Sequence, residues 1–491
     1  MARYDADLLV IGGGAAGLTV AAGAARLAAK VVLVEREPQL GGDCLHYGCV
    51  PSKALLATAH TRQRMLQAEA YGLPPVEVPP VSFPAVAARI RQVQAVIQQH
   101  DSVERFTGLG ADVRFGDARF CDPHTVEVDG KRISAARIVI ATGSSAAIPP
   151  VEGLAGLGAT AGQGVPYLTN RDIFSLAELP DALVILGGGP VAVEMAQAFA
   201  RLGSRVTLIQ RGAEILSRDD PDMAQVVRQS LERDGVRVLC GMGVRAVKRT
   251  PSGGVLVGIT DGAGVARMIE GDKLLVALGR APNVAGLGLD AAGVTHSSKG
   301  IVVDARMRTS QPHIYAAGDV TGAYQFTHAA GHEGSTVVAN AVLRLPRKAS
   351  YRWMPWCTYT EPELAGMGLN ERAAHEQGVD VTVHTEAFAH NDRALAESSP
   401  EGRIKLVLAR DSSKVLGVQI VGPHAGDLLN TWVVALNGGV KLTTLAGAVM
   451  PYPTLGEISR RAAGTIVSEP LFSDNVRSVL CTLFRYRGKG C

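Results

Sequence analysis

An excess of charge of either sign is nearly absent from this sequence. Its 49 Lys and Arg and 46 Asp and Glu residues leave a formal net charge of +3 over 491 positions. That is too little for a nucleic-acid footprint, and no long basic run occurs before the last few residues. Cysteine is sparse as well. Seven thiols, at 44, 49, 121, 240, 357, 481 and 491, are odd in number and thinly spread, which excludes a disulfide-stapled secreted domain and points to a reducing cytoplasm. The run that most resembles a signal or membrane helix, Leu8 to Ala25, is eighteen residues without a charge, but five glycines interrupt it and only Arg3 precedes it as a basic residue. No targeting or spanning segment is expected. What remains, 47% apolar and 19% charged residues, is an ordinary soluble composition with room for several domains.

That same run reads as strand, turn and helix. "DADLLVI" is a buried-strand pattern, "GGGAAG" breaks it, "LTVAAGAARLAAK" is a helix former, and "VVLVE" is a second strand. Gly12, Gly14 and Gly17 make the G-x-G-x-x-G spacing, and Glu35 ends the second strand. Glycines there permit a tight turn and close approach to a pyrophosphate, the helix N-terminus offers free N–H groups, and the acid can hold a ribose hydroxyl. The unit recurs in "ALVILGGGPVAVEMAQAFARLGSRVTLIQR", with Gly187, Gly189 and Ala192, so two nucleotides are expected. Its second strand ends in neutral Gln210 followed by Arg211. Without a carboxylate to repel a 2′-phosphate, this second site leans toward NADPH, with NADH and a solvated Arg211 as the alternative. Three more segments, "IVIATGS", "LLVALGRAPN" and "TSQPHIYAAGDV", each run an apolar strand into small residues. Asp319 is placed to meet a cofactor at a sheet edge, or else to cap a helix.

The stretch "GGDCLHYGCVPSK" carries Cys44 and Cys49. Zinc is disfavoured, since C-x-x-C spacing is usual for it and no second Cys or His pair of suitable spacing follows; no metal site is expected. The residues after Cys49 read as a long helix with Pro51 near its first turn, and a thiol at a helix N-terminus ionises more readily. A redox pair is the preferred reading.

Together these motifs resemble the flavin-dependent pyridine nucleotide–disulfide oxidoreductases, the family of glutathione reductase, lipoamide dehydrogenase and mercuric reductase, over residues 5 to 470. The resemblance implies an α/β fold: two Rossmann-like three-layer domains, one for FAD and one for NAD(P), plus an α+β dimerisation domain. The implied boundaries are 1–150 and 278–348 for FAD, 151–277 for the nicotinamide nucleotide, 349–470 for the interface of a homodimer, and 471–491 for a basic amphipathic tail. It further implies that Cys49 is the sulfur beside the flavin and Cys44 the interchange thiol. By the same resemblance Lys53 and Glu194 form an ion pair near the flavin, Asp319 holds the ribityl chain, and the segment from Thr327 approaches the ring. Thr142, Gly143 and Gly279, in "ATGS" and "LGRAPN", are further candidate cofactor contacts.

One departure bears on the substrate. Disulfide-reducing members carry His-Pro-Thr-x-x-Glu near the C-terminus, whereas this chain has "YPTLGE", in which Tyr452 replaces the histidine and Glu457 is kept. A phenol titrates near 10 and an imidazole near 6.5, so the usual proton acceptor is missing. Mercuric reductases resemble this chain in having tyrosine there, and Hg²⁺ is a soft ion taken by thiolates. A thiol-reactive or metal-ion electron acceptor is therefore expected, reduced by a mercuric-reductase-like enzyme. A lipoamide dehydrogenase-type disulfide reductase and a redox or metal sensor are the rivals. The usual adjacent C-terminal cysteine pair is absent; Cys481 and Cys491 lie ten residues apart. His46 and Tyr47 either replace the missing base or simply pack, His328 and His332 read as structural, and Cys121, Cys240 and Cys357 read as plain thiols. In the tail, Val476, Val479, Leu480, Leu483 and Phe484 share one helical face ahead of Arg485, Arg487 and Lys489, for docking on the protein's own dimer or on an anionic membrane.

Overall fold

The structure, a computed structural model, describes residues 4–154, 167–410 and 412–488. The chain divides into two compact units: residues 1–61, 79–211 and 241–351 make the first, and 62–78, 212–240 and 352–491 the second.

In the first unit, β1 (Ala6–Ile11), α1 (Ala15–Arg26) and β2 (Val31–Glu35) follow the sequence reading. β1 is the centre of a parallel array, pairing on one side with β2 and on the other with Lys131–Ile140. Ala111–Phe115 extends the sheet beyond β2, and Ile314–Ala316 adds a further parallel strand on Lys131–Ile140. Both faces of β1 are covered. Leu8 and Val10 pack with Val20, Ala21 and Ala24 of α1, while Leu9 and Ile11 pack with Val126, Ile133 and Ile138. Two-sided burial is why these strands read as continuous apolar runs rather than alternating ones. Each fully buried Leu or Val contributes about 1.5–3 kcal/mol.

The second nucleotide-type unit repeats the plan. Ala182–Leu186 pairs in parallel with Arg205–Ile209 and with Lys273–Val276, and the helix Pro190–Leu202 connects the first two. An antiparallel sheet of Gly243–Arg249, Val255–Thr260 and Ala266–Gly271 supplies the extra β layer. This is the α/β, three-layer arrangement expected.

The second unit is α+β. Its antiparallel sheet runs in the order Pro355–Thr358, Glu363–Gly368, Val415–Gly422, Arg403–Ala409, Val381–Ala387. The core centres on fully buried Trp432, from helix Ala425–Asn437, whose Nε1 donates to Ser459 Oγ at 3.0 Å. Among the described residues no helix is long and apolar enough to cross a membrane.

Candidate active site

The two glycine turns share a division of labour. A Cβ on Gly12, whose φ is +109°, would fall 2.2 Å from the Ala141 carbonyl oxygen, and one on Gly17 would fall 1.8 Å from that of Gly12. The chain itself demands those glycines. Gly14 differs: its φ is −87° and an added Cβ would meet only Gly42 Cα, at 3.8 Å. Gly189 in the repeat likewise has φ −81° and nothing within 4 Å. Both are helix N-caps without a side-chain cap, so each middle glycine leaves open space over uncapped N–H groups, which is what a pyrophosphate takes. The strand-end residues also correspond. Glu35 is buried and its carboxylate accepts from the N–H of Gly13 (2.6 Å) and of Glu37 (2.8 Å), keeping lone pairs for a ribose. Gln210 packs under Gly188 as Glu35 packs under Gly13, and Arg211 is exposed. The donor sets fit FAD at the first turn and a nicotinamide nucleotide at the second.

The cysteine loop is pressed against the first turn. Gly42, with φ +60°, could not carry a Cβ without approaching Gly14 Cα to 2.7 Å. From there α2 (Gly42–His46) presents Cys44, and α3 (Cys49–Leu66) begins at Cys49 with Pro51 in its first turn, as the sequence predicts. Both sulfurs are free thiols, Cys49 exposed and Cys44 half-buried. Cys44 donates to Cys49, and this is the main reason that Cys49 is lowered to about 6; burial opposes it, and the Thr327 hydroxyl and the Lys53 charge assist it. Cys44 is correspondingly pushed up by that hydrogen bond and by burial. Thr327 Oγ1 lies 3.3 Å from Cys49 Sγ, at the start of helix Thr327–Val337. Lys53 Nζ, one turn along α3, pairs with Glu194 Oε2 at 2.8 Å. The arrangement holds one sulfur as thiolate and the other as thiol at neutral pH, the state required for disulfide exchange.

Arg280, which sequence reasoning passed over, joins three motifs. Its guanidinium reaches Asp43 of the cysteine loop (2.8 Å), the hydroxyl (2.7 Å) and carbonyl (2.9 Å) of Ser144 in "ATGS", and Asp319 of "AAGDV" (3.5 Å). Ser144 in turn donates to Asp319 at 2.5 Å. Burial raises Asp319 from the ordinary carboxylate range, against the Ser144 bond and the Arg280 charge. The helix-cap reading of Asp319 is corrected: Gly318 is the cap of the short 3₁₀ turn, with no side-chain cap bond. Glu333, also unforeseen, is fully buried and holds that turn, accepting from Gly318 N–H (2.6 Å) and the Tyr351 hydroxyl (2.7 Å). "ATGS" and "LGRAPN" are clasped directly: the Thr142 hydroxyl donates to the Asn283 carbonyl at 2.8 Å, and Asn283 N–H donates to the Gly143 carbonyl at 2.9 Å. Gly143 and Gly279 both have positive φ with nothing within 4 Å of an added Cβ.

His46 and Tyr47 both make packing contacts in the loop. The His46 Nε2 donates to the Leu40 carbonyl at 2.9 Å, and the Arg171 guanidinium lies over the Tyr47 ring, 4.6 Å from its centroid. His328 stacks on Phe326, and His332 Nε2 accepts from Ser350 N–H. Cys121 is exposed, and Cys240 and Cys357 are half-buried free thiols. Cys481 is disulfide-bonded, and Cys491 lies outside the described residues.

In the second unit, Tyr452 is 70% exposed and its hydroxyl donates to Asp392 Oδ2 at 2.7 Å. That bond and the Asp392 charge raise the phenol above its ordinary value. Glu457 opens helix Glu457–Ser468 and pairs with Arg460 at 3.4 Å. Elsewhere in this unit the carboxylates of Asp220, Asp222 and Glu371 come within reach of one another. The ammonium of buried Lys405 bonds all three, so their charge is met by a side chain.

Comparison with known proteins agrees with this geometry. Residues 6–334 match the pyridine nucleotide-disulphide oxidoreductase family, and residues 354–463 match its dimerisation domain. A mercuric reductase of Streptomyces lividans is 35% identical over 474 residues, covering 94% of this chain and 96% of the relative. A dihydrolipoyl dehydrogenase of Geobacillus stearothermophilus is 31% identical over 483 residues, covering 95% and 97%. Among solved structures, the Cu(II) complex of the HOCl-induced flavoprotein disulfide reductase RclA of Escherichia coli superposes with a TM-score of 0.82 at 26% identity, covering 94% of this chain and all of that one. The chain belongs to the class I pyridine nucleotide-disulphide oxidoreductases, enzymes that bind FAD and a pyridine nucleotide.

Proposed function

We propose that this enzyme takes two electrons from NADPH and delivers them through the Cys44–Cys49 pair to a soft, thiol-reactive metal ion, with Hg(II) as the first candidate. The observation that carries the reading is Tyr452. Its phenol sits where disulfide-reducing relatives are expected to have a histidine, and the Asp392 carboxylate holds its proton more firmly still. A group that stays protonated at neutral pH cannot accept the proton that an interchange thiol sheds on attacking a disulfide. A metal ion bound by thiolates needs no such acceptor, since its reduction to the element takes two electrons and breaks metal–sulfur bonds without protonating a leaving thiol.

In this reading Cys44 meets the acceptor, and Cys49 is the thiolate kept ready by Thr327 and Lys53. FAD, when bound at the Gly12–Gly17 turn, supplies the two-electron relay between nicotinamide and dithiol. Asp319, Ser144, Arg280, Thr142, Gly143 and Gly279 would line its site, with Glu35 on the adenosine ribose. Gly187, Gly189, Gln210 and Arg211 would hold the nicotinamide nucleotide, Arg211 favouring the 2′-phosphate. We assign 1–150 and 278–348 to FAD, 151–277 to the nucleotide, and 349–470 to a homodimer interface that brings the Tyr452 segment to the other copy's dithiol. Among the described residues five cysteines, Cys44 and Cys49 included, are free thiols, which fits a reducing cytoplasm, while Cys481 is disulfide-bonded.

The test is an acceptor screen on the purified holoenzyme, with Hg(II), Cu(II), lipoamide and glutathione disulfide each tried with NADPH and NADH. Metal-dependent NADPH oxidation exceeding that with either disulfide supports the reading. Rapid lipoamide turnover instead assigns the enzyme to the dihydrolipoyl dehydrogenase type.

A further inference from the structure

The helix Asp474–Phe484 buries none of its residues. Val476, Val479, Leu480, Leu483 and Phe484 recur at the i, i+3, i+4, i+7, i+8 spacing of one helical face, and Leu483 and Phe484 are 69% and 61% exposed. Leu471 and Phe472 before the helix and Tyr486 after it extend the apolar surface. This segment lies beyond both family matches, which end at 334 and 463, so the shared catalytic fold does not account for it.

Its charge identifies what covers it. Residues 469–488 carry Arg477, Arg485 and Arg487 against Glu469 and Asp474. Arg477 pairs with Asp474 within the helix, while Arg485 and Arg487 form no ion pair among the described residues. The uncompensated positive charge is thus concentrated at the C-terminal end of the apolar face, beside Phe484 and Tyr486, which stack on each other. An anionic lipid surface complements the arginines while its acyl boundary takes the apolar side chains.

We propose that this segment is an interfacial anchor that lies on an anionic membrane surface without crossing it. The test is flotation of the full-length holoenzyme with vesicles of phosphatidylcholine alone and of equal parts phosphatidylcholine and phosphatidylglycerol. Binding is expected only to the anionic vesicles, weakening about tenfold in high salt. Leu483→Glu/Phe484→Glu and, separately, Arg485→Glu/Arg487→Glu should each lower binding about tenfold or more, with flavin content and NADPH oxidation unchanged. Absence of binding to anionic vesicles overturns the proposal, and so does binding that neither double variant reduces. If instead Leu483→Glu/Phe484→Glu turns a dimer into a monomer and the wild type ignores both vesicle types, a second copy covers the face. Because vesicle binding is read apart from acceptor chemistry, failure here leaves the redox reading standing.

Discussion

Lys53 Nζ and Glu194 Oε2 stand 2.8 Å apart although 141 residues separate them in the chain. The pair acts on Cys49 in opposite senses, the lysine charge favouring the thiolate and the glutamate charge disfavouring it. Substituting each partner should therefore move the same sulfur in opposite directions. With Cys49 at about 6 in the wild type, Lys53→Met should slow its alkylation by iodoacetamide near that pH by roughly two- to tenfold, and Glu194→Gln should quicken it. The pH profile of alkylation in the reduced protein gives the answer directly.

Thr327 supplies a second test of the same thiolate. Its hydroxyl is 3.3 Å from Cys49 Sγ and lowers that thiol. Thr327→Val keeps the shape and removes the donor, so the midpoint of Cys49 alkylation should rise. An unchanged midpoint would mean that the hydrogen bond from Cys44 and the Lys53 charge lower it without help from Thr327.

Tyr452→His would restore the missing imidazole. General acid–base catalysis typically supplies about 10²–10⁴-fold, so lipoamide reduction should rise roughly tenfold or more and acquire a pH limb near the imidazole range. Asp392→Asn should bring the phenol back toward its ordinary value, because the bond to Asp392 is the first cause of its rise. Steady-state kcat/KM with lipoamide against pH measures both.

Much of this site was legible in the sequence, because a glycine turn or a thiol at a helix start is a local device whose parts lie within a few residues. The two glycine turns, the strands leading to "ATGS", "LGRAPN" and "AAGDV", and the α3 start at Cys49 all formed where the pattern placed them. Arg280 was not legible. Its role depends on Asp43, Ser144 and Asp319 arriving from three distant segments, and nothing local to "LGRAPN" marks the arginine over its glycine. Glu333 escaped for a similar reason: a glutamate in a helix reads as solvent-facing until the fold closes over it. The cap reading of Asp319 failed because Gly318 takes the turn and Ser144 and Arg280 claim the carboxylate.

Arg211→Glu tests nucleotide choice. A carboxylate beside Gln210 should repel a 2′-phosphate and lower the NADPH-to-NADH ratio of kcat/KM by about ten- to a hundredfold. A ratio that does not move would place the discrimination elsewhere.

Asp219 offers a stability test independent of redox chemistry. Burial raises it to about 6, while Trp356 Nε1 donates to it at 2.7 Å. Between the ordinary carboxylate range and pH 6 the folded chain keeps a proton that the unfolded chain has lost, so stability falls as pH rises through that window. Asp219→Asn keeps an acceptor and abolishes the titration. Its stability relative to wild type should therefore rise by on the order of 2 kcal/mol between about pH 4 and pH 7, read from urea midpoints.

The most direct measurement is the redox state of the two sulfurs themselves. Air-oxidised holoenzyme is mixed anaerobically with stoichiometric NADPH, alkylated, and mapped by mass spectrometry at Cys44 and Cys49. The expected result is no label at either residue before NADPH and label at both afterwards. Labelling that is the same with and without the nucleotide would contradict a dithiol that relays its electrons.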